Sequence, residues 1–185
     1  MRTKPSDCAL LVIDVQDRLI DTIYQNKELV RNIKALIQTA QVLNLPILVT
    51  EQDKLGVTVD DLEKLLVNIP KVRKLTFSGY GNSDFVKNLE RTVKKTVVVC
   101  GIEAHICVLQ TTLDLLDRGY KVIIPLDAVS AYATGDKEMA LNRMREAGVV
   151  VATVESLIYE WIERAGTDEF RKVLQIVKEK RGVPV

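Results

Sequence analysis

Two uninterrupted apolar runs, Cys8-Ala-Leu-Leu-Val-Ile13 and Val97-Val-Val-Cys100, constrain what this chain can fold into more than any other feature. Neither alternates with polar residues and both are shorter than a core helix, so each reads as a parallel strand buried on both faces. Such strands need helices above and below, and the chain supplies them. Residues 28–43 carry Leu29, Ile33, Leu36, Ile37 and Ala40 at helical spacing, and Pro46 separates them from a short strand at 47–50. This is a βαβ unit, whose right-handed crossover makes the first two strands parallel neighbours. Further helical patterns at 60–66, 82–92, 106–117 and 136–147 alternate with strand patterns at 71–77, 122–125 and 149–153. The alternation specifies an α/β chain with a three-layer α/β/α, doubly wound, Rossmann-like sheet of about six strands, mostly or wholly parallel. Two amphipathic helices within 156–181, carrying Leu157, Ile158, Trp161 and Ile162 and then Phe170, Val173, Leu174 and Val177, cover the sheet or a partner subunit.

Size and charge narrow the function classes. With 185 residues and 47% apolar composition, the chain reads as one domain over 1–185, its core over 7–160. The balance of 26 basic and 25 acidic residues offers no polyanion-binding surface, so nucleic acid is not an expected partner. The first apolar run has only six residues before Asp14, too short for a signal-peptide core or a membrane span, so no membrane association is expected. Three cysteines, at 8, 100 and 107, match neither a disulfide framework nor CxxC spacing. A reducing, cytoplasmic setting follows as the expectation.

In a doubly wound sheet, ligands bind beyond the carboxyl ends of the strands. Asp14 leaves the first run at that end, and Gly101-Ile-Glu-Ala-His-Ile-Cys107 leaves the second, so both open onto one edge. Ile106, Leu109, Leu113 and Leu116 form the expected sheet-facing stripe of the helix that follows. Cys107 then falls in its first turn, where unpaired N–H groups and the helix dipole favour a thiolate. Cys8 and Cys100 lie inside apolar strands and read as core. No GxGxxG or GxxxxGK[ST] follows any strand pattern, which speaks against a nucleotide-binding domain.

Three pieces in order, Leu11-Val-Ile-Asp14-Val-Gln16, Lys74-Leu-Thr-Phe-Ser78 and Gly101 through Cys107, resemble the isochorismatase-like cysteine hydrolase superfamily over about residues 7–160. Thr50-Glu-Gln52 and the run from Thr111 to Gly119 are similar to its isochorismatase-domain-containing subfamily. The resemblance implies a triad of Asp14, Lys74 and Cys107: a thiol nucleophile, a carboxylate that takes and returns its proton, and a cation that holds the pair. It also implies a cis peptide at Ile102–Glu103, with the backbone amides of Glu103 and Cys107 as the oxyanion hole. Nicotinamidases of the superfamily bind a metal through an Asp-x-His pair and a further His. This chain has Glu51-Gln-Asp53 there and a single histidine, so neither metal nor cofactor is expected. Isochorismatases proper cleave a vinyl ether without a cysteine nucleophile, and Cys107 argues against that chemistry. What remains is a metal-independent cysteine hydrolase acting on the amide or carbamoyl C–N bond of a small-molecule substrate. The alternative is a catalytically silent binding protein that keeps the fold. Glu51, Gln52, Phe77, Tyr80, His105 and Tyr132 are the candidate residues lining the substrate. His105 is read as lining rather than as base, because residues two apart share no helix face. The resemblance also implies a homo-oligomer.

Overall fold

The computed structural model describes residues 2–183, so the reading of 1–185 as one domain extends past the described residues at both ends. Among these residues the strands form a single sheet of six: β1 (Cys8–Ile13), β2 (Ile47–Gln52), β3 (Lys71–Lys74), β4 (Thr96–Gly101), β5 (Lys121–Pro125) and β6 (Val150–Ala152). Their order is β3-β2-β1-β4-β5-β6, and every pairing is parallel. The winding starts at β1, runs outward to β3, then crosses back to β4 and outward to β6. β1 and β4 are therefore adjacent strands whose connections leave in opposite directions, the arrangement that opens a crevice at their carboxyl ends.

The period of two along β1 divides the core. Cys8, Leu10 and Val12 enter the layer formed with α2 (Asn26–Val42), α3 (Asp60–Leu66), α7 (Val154–Ile162) and α8 (Asp168–Arg181). Ala9, Leu11 and Ile13 enter the layer formed with α4 (Ser83–Arg91), α5 (Leu109–Asp117) and α6 (Thr134–Glu146). A short α1 (Asp17–Ile20) fills what reads in the sequence only as a polar connection. On α2, Leu29, Ile33, Leu36, Ile37 and Ala40 are all buried, and each larger side chain contributes about 1.5–3 kcal/mol of transfer free energy. Packing of that stripe, more than helix propensity, fixes α2 against the sheet. The tail helices cover this same face through Trp161, Ile162, Val173, Ile176 and Val177.

Two elements depart from the sequence reading. β3 stops at Lys74 instead of running to Phe77, because the carbonyls of Thr76 and Phe77 fold back to accept from the Lys74 ammonium at 3.3 and 3.1 Å. The helix expected from Ile106 begins two residues earlier, as a π-helical turn over Ala104–Val108 that leads into α5. The buried face of α5 also includes Thr111, Thr112 and Leu115, whereas Leu113 and Leu116 are only partly covered. Two threonines on that face hide it from a reading of apolar spacing: Thr111 is buried because its Oγ1 accepts the Gly79 N–H at 3.0 Å.

Candidate active site

Three strand ends supply the site. At the end of β1, Asp14 takes a left-handed conformation, φ 53°, which aspartate tolerates better than most residues and which turns the chain sharply out of the sheet. Its N–H donates to the Thr50 carbonyl at 3.1 Å and its own carbonyl accepts from Gln16 at 2.9 Å, so the turn is held on both sides. The carboxylate is buried. Oδ1 accepts from the Thr50 hydroxyl and Oδ2 from the Lys74 ammonium, both at 2.7 Å. Lys74 reaches Asp14 from β3 across the intervening end of β2, and its side chain is 0% exposed. Besides Asp14 it donates to Gln52 Oε1 at 2.8 Å and to the Thr76 and Phe77 carbonyls. A charge this deeply buried is tolerated only when paired and fully hydrogen-bonded, and this one is both.

Cys107 sits in the π-helical turn, 7% exposed. The turn's geometry depends on Glu103, whose carbonyl accepts from the N–H groups of Ile106 at 3.1 Å and Val108 at 3.2 Å, passing over the Cys107 amide between them. The peptide bond between Ile102 and Glu103 is cis. Residues after β5 strap the turn in place: Gly101 donates to the Ala128 carbonyl at 2.9 Å, Ala104 to that of Ser130 at 2.8 Å, and the Glu103 carboxylate accepts from Tyr132 N–H at 2.9 Å. Nothing about this turn makes the resting thiol acidic. Burial first, and then the negative charge of Asp14, push the Cys107 thiol up to about 12, and the opposing pull of Lys74 does not offset them. The helix terminus read from the sequence as favouring a thiolate is opposed by desolvation and by Asp14, which hold the thiol toward its protonated form, though less far than the core Cys100.

The other candidate residues are dispersed. Gln52 faces the centre, its Oε1 2.8 Å from the Lys74 ammonium and 4.0 Å from Cys107 Sγ. Glu51, next along β2, is nearly buried and committed elsewhere: Oε1 accepts from the N–H and hydroxyl of Thr58, both at 2.9 Å, and Oε2 lies 3.6 Å from Arg73. It pins the loop after β2. Tyr80 packs its ring edge on Phe85 and lies beneath the Arg118 guanidinium, 4.1 Å from ring centre, a structural position between α4 and α5. Phe77 and Tyr132 are exposed. His105 Nε2 is 3.9 Å from Asp136 on α6, and its buried Nδ1 has no hydrogen-bond partner among the described residues. Two residues unremarked as site candidates matter here, Thr50 and Gln16. Strand alternation is the signal that finds Thr50, since it and Gln52 share the face that Glu51 does not.

The protonated cysteines have a measurable consequence. A thiol whose folded value lies above its ordinary 9.0 stabilises the fold fully below pH 9, and that stability is lost as pH rises from 9 toward the folded value, about 12 for Cys107 and about 11 for Cys8. Between pH 8 and 10.5, wild type is therefore expected to lose about 2 kcal/mol more than Cys107→Ala in urea unfolding, at about 1.4 kcal/mol per unit of pH above 9. Parallel losses in the two proteins would contradict this reading of the thiol.

Known proteins share both the sequence and the fold. A family model described as the isochorismatase domain matches residues 8–156. The secreted isochorismatase effector Isc1 of Phytophthora sojae is 37% identical over 186 residues, covering 96% of this chain and 88% of its own. The solved structure titled MAR1 ribonuclease from Caenorhabditis elegans superposes with a TM-score of 0.89 at 34% identity, covering 96% of this chain and 92% of that one. The Escherichia coli YcaC gene product, described as an octameric hydrolase of unknown specificity, shares the fold with a TM-score of 0.90 at 22% identity, covering 98% and 94% of the two chains.

Proposed function

The chain belongs to the isochorismatase domain family, and from that membership we propose that it is a metal-independent cysteine hydrolase that cleaves a small amide or carbamoyl C–N bond through a thioester on Cys107. The observation that carries the proposal is the buried Asp14–Lys74 pair, joined at 2.7 Å, beside a thiol that burial keeps protonated. A protonated nucleophile needs a base, and Asp14 is the carboxylate whose charge acts on it. Asp14 takes the thiol proton as the S–C bond forms, and the oxyanion draws on the amides of Glu103 and Cys107. The same proton then passes from Asp14 to the leaving nitrogen as the C–N bond breaks. Water, deprotonated by Asp14, cleaves the thioester and returns the proton to the thiol. Lys74 stays charged throughout, holding Asp14 in place.

Screening amides and carbamoyl compounds tests this reading. Wild type is expected to turn over at least one class and to show an acyl adduct by intact mass, while Cys107→Ala falls by about 10⁴-fold or more, as loss of a nucleophile that works in concert with its base requires. Full activity in Cys107→Ala would overturn the assignment. RNA belongs in the same screen because the C. elegans relative is described as a ribonuclease, although the near-even charge of this chain gives a phosphate backbone little to hold. The tightly held Cys107 proton also favours a second reading, a binding protein that keeps the fold without turnover. Alkylation of Cys107 no faster than a model thiol, together with silence across the screen, would select it.

The assembly we propose is a homo-oligomer, supported by the octameric relative and by the exposed apolar side chains Leu75, Phe77, Tyr132 and Met139. A cytoplasmic setting is proposed from the three free cysteines, against the secreted description of the Phytophthora relative. Among the described residues no helix is long and apolar enough to cross a membrane.

A further inference from the structure

We infer that Gln52, locked in place by Gln16, is a positioning residue that tunes the electrostatic state of the Cys107 thiol by holding a neutral carbonyl oxygen beside both that thiol and the Lys74 ammonium. The inference rests on the proposed role of Cys107 and adds a residue that the triad does not contain.

The Lys74 ammonium has three protons and meets four acceptors: Asp14 Oδ2 at 2.7 Å, Gln52 Oε1 at 2.8 Å, and the carbonyls of Phe77 at 3.1 Å and Thr76 at 3.3 Å. Its N–H groups are committed within the site, and its charge also acts directly on the Cys107 thiol. Of those four acceptors, two also meet Cys107: the Asp14 carboxylate, which bonds the thiol, and the Gln52 oxygen, 4.0 Å from Sγ, which is the neutral one of the two. Its orientation is forced. Gln52 Nε2 donates to the Leu75 carbonyl at 2.9 Å, and exchanging the amide ends would point donors at the ammonium and an oxygen at that carbonyl.

The main chain of Gln52 is fixed as firmly as its side chain. Gln16 is 0% exposed; its Oε1 accepts the Gln52 N–H at 2.8 Å, and its Nε2 donates to the carbonyls of Gln52 at 3.0 Å and Gly56 at 3.1 Å. Hydrogen bonds from the second residue after Asp14 thus fix the main chain of the residue whose side chain meets both Lys74 and the thiol. Gln16 therefore has a task that packing alone would not give it.

Charge, not shape, is what a glutamine supplies here. Glutamate would accept from Lys74 as readily but would add a negative charge about 4 Å from the sulfur, where it opposes thiolate formation. Methionine would fill similar volume and remove the oxygen, leaving more of the Lys74 charge to act on the thiol. At pH 8 with the neutral reagent iodoacetamide, intact-mass measurement of Cys107 modification, with Cys107→Ala as the blank for Cys8 and Cys100, is expected to slow at least tenfold in Gln52→Glu and to quicken threefold or more in Gln52→Met. Mere loosening of the site would expose the thiol and speed both variants. Movement of both in one direction, or neither beyond twofold, would overturn the inference. Should Gln52→Glu not fold, an unchanged or slower rate in folded Gln52→Met would overturn it alone. This readout is independent of turnover: failure of the hydrolase reading appears as activity retained in Cys107→Ala, failure of this one as unmoved alkylation.

Discussion

Asp14→Asn is expected to cost about 3 kcal/mol or more in urea unfolding and to abolish turnover, because it leaves the Lys74 ammonium buried without its countercharge. Lys74 is wholly buried and reaches Asp14 at 2.7 Å, so no rearrangement of the side chain alone returns the charge to water. Its remaining oxygens, from Gln52, Thr76 and Phe77, are dipoles and soften the loss without neutralising the charge. The substituted asparagine would still accept from the Thr50 hydroxyl through its amide carbonyl, so the hydrogen bond made by Oδ1 of Asp14 is not the source of the effect. The double variant Asp14→Asn/Lys74→Met separates stability from chemistry. Removing both members of a buried pair is often close to neutral, so most of the lost stability is expected to return, while turnover, which on the proposed mechanism needs the carboxylate as base, stays absent. A single variant within about 1 kcal/mol of wild type would mean that the pair is not charged as drawn. A double variant that regains turnover would remove Asp14 from the mechanism.

The pair also shows what a sequence carries and what it withholds. β1 and β4 are readable because uninterrupted apolar runs of six and four residues admit no half-exposed solution, and their order around the switch point follows from chain reversal. Lys74 is harder, since Lys71, Arg73 and Lys74 look alike in a basic stretch. The strand period resolves them: Val72 and Lys74 are buried, Arg73 stays 66% exposed, and Lys71 pairs with Glu63 at 2.6 Å. Only a carboxylate arriving from two strands away makes an inward lysine tolerable, and that pairing is tertiary. The state of Cys107 is beyond pattern for the same reason. A helix terminus is visible in sequence, but the burial that raises the thiol, and the Asp14 and Lys74 charges that act on it from other strands, are tertiary. Counting Thr111 and Thr112 as polar misplaces the buried face of α5, because both are covered.

Gly101→Ala is expected to be the most disruptive single-atom change near the site, lowering stability by about 4–5 kcal/mol or preventing folding. Gly101 ends β4 opposite Ile13, the last residue of β1, and takes φ +121°, a conformation that side chains rarely adopt. A β-carbon there would lie 2.0 Å from the Ile13 carbonyl oxygen and 2.7 Å from its nitrogen. These are backbone atoms of the central strand and have no rotamer to escape into. The same carbonyl accepts the Ile102 N–H at 2.9 Å, so making room would break the hydrogen bond that seats the Cys107 turn beside Asp14. Gly119→Ala is the matched control. Its φ is +78°, but a β-carbon there meets nothing within 4 Å, so the variant carries only the conformational cost, about 1–2 kcal/mol. Urea midpoints of the two variants divide crowding from conformation. A Gly101→Ala protein within about 1 kcal/mol of Gly119→Ala would show that β1 and β4 can part at their ends without loss, and that the close approach of those strands does not hold the Cys107 turn against Asp14.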